Sequence, residues 1–352
     1  MPEPILYLKA MGAAAVASAV IMLAVFAPTV LKPTIDRLRL PVGPALLNSA
    51  WLNVACLLAT VCGVAVGCVV MSLRVAWPPA SGLDRFLTIV VPAVLGVELI
   101  AGFERVPRSA AWLLRMGLAA AVPRVLLHGS VYLNGSPGGW SVWQSDTTLA
   151  LSGILLAGVW GLMLRLSRRA HGTSIPLAFC LTTLCAGVTV MLAGYIKGGA
   201  AAFPMAASLA TTTIMAGLIA SRSSVPNQTG APVRPGQPAM LGIGVVGSFS
   251  LLFIGCFFGR VSTGCALVIL LAPLLCWVTE LPRLRDVKPW IAGSLRLALV
   301  SIVLVVVLIL AKRNFDRDMA PLLEKVQIPR RFTASVFTAG SRRFPAAGGL
   351  RG

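Results

Sequence analysis

What most narrows the fold of this chain is the recurrence of long apolar runs that hold almost no charge, such as AMGAAAVASAVIMLAVFAPTVL at 10–31. About 20 apolar residues let an α-helix cross the roughly 30 Å hydrocarbon layer of a bilayer. With no water at that depth, the backbone has to satisfy its own polar groups, which a helix does within a single segment. Ten such runs can be traced, at about 10–31, 45–73, 86–104, 109–131, 148–166, 174–196, 201–220, 239–258, 261–281 and 290–311. The composition agrees: 57% of residues are hydrophobic, 12% are charged and the mean hydropathy is +0.87. A water-soluble domain could not cover that much apolar surface. The expected fold is all-α, a polytopic integral membrane helical bundle of about ten transmembrane helices. Residues 1–311 form the membrane domain and 312–352 a basic, partly disordered tail, with a short surface helix at 316–328.

A cleaved signal peptide is the competing reading of the first run, because AAAVASAV offers small residues. The length of the run and the single basic residue ahead of it, Lys9, favour an uncleaved span.

The net charge of +19 would suggest nucleic acid in a soluble protein. No basic helix face with interleaved aromatics occurs here, so nucleic acid is not an expected partner. The excess falls instead in short loops, where basic residues keep a loop cytoplasmic and meet anionic lipid headgroups. In the ten-span topology one side carries Lys32, Arg37, Arg39, Arg105, Arg108, Arg165, Arg168, Arg169, Arg222, Arg234, Arg283, Arg285 and Lys288. The opposite loops hold only Arg74, Arg85, Lys197 and Arg260, with Lys9 at the amino terminus. This places both termini outside a bacterial-type inner (plasma) membrane. The polar, Pro-rich segment 221–238 is then a cytoplasmic linker.

All eight cysteines lie within apolar runs and none forms a CxxC pair. They read as small packing residues, and neither a disulfide, a metal nor a cofactor is expected. Gly63-x-x-x-Gly67 and Gly255-x-x-x-Gly259 let another helix approach closely, within the chain or in an oligomer. Hydroxyls at Thr182, Thr183, Thr189, Ser208, Thr211, Thr212 and Thr213 most simply bond back to their own helices. A polar path for a solute is the alternative.

The densest set of ionisable side chains at membrane depth is Glu98, Arg115, Arg124 and His128, on the two runs flanking the basic turn ERVPR. Charge there is expensive and normally faces a bundle interior, a water-filled cavity or a counter-charge. Counted from Pro107, Glu98 and Arg115 lie at about 12–14 Å on either side, so an antiparallel hairpin brings them level. Such a pair fixes helix register or forms a titratable, solute-contacting site. Arg124 follows Pro123 and lies deeper from the turn. It either snorkels outward, pairs with Asp146 or binds an anion. His128, a turn further, reads as a solvated interfacial residue or a proton relay.

Residues 98–118 (ELIAGFERVPRSAAWLLRMGL) are echoed at 280–297 (ELPRLRDVKPWIAGSLRL). Each has a Glu, a Pro-Arg in a basic turn, a Trp, and a Leu-Arg at the start of the next span. Shared interface chemistry accounts for this as well as a parallel repeat does.

No phosphate-binding loop, HExxH or GxSxG occurs, and no loop is long enough to be a soluble catalytic domain. Three classes of function follow: a transporter or permease for a small solute, a non-catalytic membrane subunit or scaffold, and a membrane-embedded enzyme acting on lipid.

Overall fold

The computed structural model describes residues 4–30, 49–73, 75–103, 105–133, 140–169, 173–222, 237–281 and 288–327. The loop after the first span, most of the 221–238 linker, the 282–287 turn and the end of the tail lie outside the described residues. The chain divides into two compact units, Met1–Leu308 and Ile309–Gly352. All described secondary structure is helical, and nine of the described helices are long and apolar enough to cross a membrane.

In order, the helices are α1 (Pro4–Val30), α2 (Ser49–Val70), α3 (Gly82–Arg85), a π-helix (Phe86–Val90), α4 (Val91–Ala101), α5 (Arg108–Leu127) and α6 (Val142–Arg169). There follow α7 (Ser174–Leu192), α8 (Ile196–Ala200), α9 (Ala202–Arg222), α10 (Gln237–Phe258), α11 (Thr263–Leu271), a 3₁₀-helix (Ala272–Glu280) and α12 (Pro289–Gln327).

The run expected as one span at 86–104 is the exception to simple α-helix. Pro92 has no N–H to return to the preceding turn, and the ladder widens just ahead of it, with the Val91 N–H bonded to the Phe86 carbonyl. The turn expected at Lys197–Gly199 comes earlier. Gly194, at φ +91°, takes the left-handed conformation that ends α7, and 196–200 is already helical. The last helix runs unbroken to Gln327, so the span at 290–311 and the surface helix expected at 316–328 are one element.

α10 is the axis of the fold. In its apolar window 83% of residues are buried, against 22% in α1 and in α12. It packs against α4, α6 and α7, while α1, α2 and α9 form a layer of their own. Small residues set that layer's spacing: a Cβ at Gly63 would meet the Ser18 and Ser208 hydroxyls, and one at Gly67 would meet Pro204. This glycine pair is therefore filled from within the chain. Hydroxyls stitch neighbours together, Ser18 donating to the Ala59 carbonyl at 2.9 Å and Thr183 pairing with Ser248 at 2.9 Å. Thr182 and Ser208 instead bond their own helices, at 2.9 and 2.7 Å.

Candidate functional site

Glu98 sits near the end of α4, one turn before the reversal, and Arg115 two turns into α5. Pro107, extended at the N-cap of α5, aims the chain back along α4. Arg115 Nε donates to Glu98 Oε1 at 2.9 Å, and Nη2 donates to Oε2 at 2.6 Å. Both residues are buried, Glu98 at 2% and Arg115 at 5% exposure. Two parallel N–H···O bonds set one edge of the planar guanidinium against both carboxylate oxygens, the strong bidentate geometry of such pairs. α10 closes over it with a glycine: a Cβ at Gly242 would stand 2.5 Å from Glu98 Oε1.

Arg124 and His128 do not join this pair. They lie about 14 and 20 Å further along α5 at helical rise, both exposed. Neither side chain has a hydrogen-bond or ion-pair partner among the described residues, and Asp146 is likewise exposed and forms no ion pair with Arg124.

A second pair stands where the sequence shows the echo. Arg296 of α12 is buried at 4% exposure and reaches Glu280, the last residue of the 3₁₀-helix, through Nη2 at 3.0 Å. Its Nε donates to Thr279 Oγ1 at 2.6 Å and its Nη1 to Ser174 Oγ at 3.4 Å. This guanidinium thus joins α7, the 3₁₀-helix and α12. Arg169, at the end of α6, lies 5.9 Å over the Trp277 ring of the same 3₁₀-helix. Arg296 is the arginine of the Leu-Arg in the echo, and the separation of 17 residues in Glu98–Arg115 and 16 in Glu280–Arg296 is the signal in the sequence for its partner.

Ahead of the π-helix a third carboxylate has no cation partner among the described residues. Asp84 Oδ2 accepts from the Ser81 hydroxyl at 2.7 Å and from the Ser81 N–H at 3.1 Å, while the Asp84 N–H donates to Ser81 Oγ at 3.1 Å. Burial acts to raise this carboxyl, but the hydrogen bonds from Ser81 and from the Ala76 backbone outweigh it and hold the group below its ordinary value.

All eight cysteines are free thiols. Among the described residues no three His, Cys, Asp or Glu side chains converge as a metal site would need. The chemistry on offer is that of acid–base pairs inside a membrane: exchange of a counter-ion, or protonation of the acid with release of the arginine. No protein-family model, curated protein or solved structure matches the chain.

Proposed function

We propose that this chain is a permease for a small solute in an inner (plasma) membrane, with its basic loops cytoplasmic and both termini outside. One observation carries the proposal: each of two buried Glu–Arg pairs joins helices consecutive in the chain, and each Glu-bearing segment departs from α geometry. The segment of Glu98 begins with the π-helix Phe86–Val90, and the span of Glu280, Thr263–Glu280, ends in the 3₁₀-helix Ala272–Glu280. Non-α turns free backbone carbonyls and change length at small cost, which suits a helix that moves. A buried ion pair opens when a proton or a charged solute group takes over one partner, and this links the hairpin to what it carries.

The test is solute-driven proton movement into liposomes holding the purified protein and a pH-sensitive dye, with amino acids, sugars and carboxylates supplied in turn. A solute-dependent signal that disappears in Glu98→Gln supports the proposal; silence with every class removes it. Topology is tested separately by reporter fusions at Arg234 and at the carboxyl terminus, which should report opposite sides.

A second reading, a non-catalytic subunit or scaffold, has its own support in α12. Its 39 residues exceed the about 20 that a crossing needs. Removal of 318–352 should then release a stoichiometric partner without altering the membrane domain's own stability.

A further inference from the structure

Outside the charged pairs, a groove of about 720 Å³ lies between α5 and α6. Trp112 and Met116 form one wall, Ile154, Gly158 and Leu162 the other, and Arg165 stands at one end. The two helices touch at either side of it. Trp112 lies over Gly161, where a Cβ would come 2.9 Å from the ring, and Gly153 meets the Ala119 backbone, where a Cβ would stand 3.3 Å from the carbonyl oxygen. Between these contacts Gly158 faces open space, with nothing within 4 Å of where its Cβ would be.

From Ile154 to Arg165 the groove follows α6 for about 16 Å at helical rise. That is about half of the roughly 30 Å hydrocarbon layer, the depth of one leaflet. Its open end carries Arg165 of α6, and Arg108 of α5 lies just beyond the lining. Arg165 lies one turn beyond Gly161, and Arg108 one turn before Trp112, so the Trp112–Gly161 contact puts the two guanidinium-bearing turns at the same level. Both arginines are exposed. Arg168, which also lines the groove, is engaged by a further interaction of its own. An apolar channel one leaflet deep with a cationic mouth has the dimensions and charge of a single lipid.

We propose that this groove is a binding site for one anionic phospholipid. An acyl chain lies along Met116, Ile154 and Gly158, and the phosphate sits between Arg108 and Arg165. The site is independent of any transport activity, since none of its residues belongs to either Glu–Arg pair.

The test uses the purified full-length protein in mild detergent, with equal amounts of phosphatidylglycerol and phosphatidylcholine added and bound lipid read by native mass spectrometry. The wild-type protein should retain one phosphatidylglycerol in preference to phosphatidylcholine. Basic groups at a membrane surface contribute about fivefold each, so R108Q/R165Q should reduce that preference on the order of tenfold or more. Gly158→Leu fills open space, keeps both arginines, and should lower retention of the tightly held lipid. Both variants alter exposed positions, and an unchanged helical circular dichroism spectrum verifies that each is folded. Equal retention of the two lipids by the wild type overturns the site. So does a phosphatidylglycerol preference that both variants leave intact, which would mean a general lipid belt only.

Discussion

The two hairpins that echo each other in sequence hold their arginines in different ways. Arg115 gives its Nε and Nη2 donors to one carboxylate, and the two side chains are shielded at 6% and 1% exposure. Arg296 divides its donors among Glu280, Thr279 and Ser174, and the Glu280 side chain keeps 19% exposure. The first arrangement is a closed pair in which each charge depends on one partner. The second is a shared cation that retains two hydroxyls when its acid leaves. The same residue pattern therefore yields a brittle junction deep in the bundle and a tolerant one at its edge. Burial decides which: Glu98 is covered by its neighbours, whereas Glu280 ends its helix partly exposed, where water or headgroups can solvate it.

This contrast breaks most readily at the first pair. Glu98→Gln or Arg115→Met leaves a lone buried charge, which should cost about 3–5 kcal/mol. The double substitution removes both charges and should recover much of that loss, as read by thermal unfolding in detergent through a double-mutant cycle. Coupling near zero would mean that Arg115 reaches an interface by itself, and the difference between the hairpins would vanish.

Next in size is the glycine that covers the pair. A methyl group at Gly242 would press on Glu98 Oε1 and, at 2.8 Å, on Cδ and Cγ, so Gly242→Ala should destabilise by about 1–3 kcal/mol. If the loss comes from displacing the carboxylate, it should shrink in the Glu98→Ala background. An equal loss in both backgrounds would assign it to the α4–α10 backbone contact instead.

At the second pair smaller effects are expected. Glu280→Gln leaves Arg296 with Thr279 and Ser174 and should cost about 1 kcal/mol. Arg296→Met removes all three contacts and should cost more than Glu280→Gln, while the two substitutions at the first pair should cost alike. That asymmetry sharpens the comparison. Equal losses at Glu280 and Arg296 would show this pair to be as closed as the first.

Much of this was legible in the residues, for reasons that also explain what was not. Apolar run length is set by bilayer thickness, so the membrane bundle can be read without knowing how its helices pack. Glu98 and Arg115 could be placed level because the helical rise is constant and both are counted from one turn. Gly242 could not be found that way: its contact with Glu98 joins residues far apart in sequence, through packing that periodicity does not encode. Nor could the division of Arg296 among three acceptors, since Ser174 comes from α7 and only the assembled bundle brings it near. Arg124 and His128 share a span with Arg115, but a common segment is not a common depth or face. The π-helix had a visible cause in Pro92, although a proline can as easily kink a helix as widen one.

The smallest effect concerns the carboxylate that precedes the π-helix and has no arginine partner among the described residues. Asp84 is held by Ser81 in a reciprocal cap, so its charge is stabilised by hydrogen bonds where that of Glu98 is stabilised by a cation. In Asp84→Asn one of the two acceptor oxygens becomes a donor, and the substitution should cost about 1 kcal/mol or less at neutral pH. Because the folded carboxyl lies below its ordinary value, its contribution is fully present above the unfolded value of about 3.9. That contribution is lost as pH falls further, through the lower folded value. The gap in thermal stability between wild type and Asp84→Asn should thus be constant from neutral pH down to about 5 and close only in stronger acid. Taking the difference between the two proteins removes the titration of distant carboxylates common to both. A gap that stayed open in strong acid would show that Asp84 acts through its shape rather than its charge. The helix start before the π-turn would then owe nothing to electrostatics, in contrast to the two hairpins.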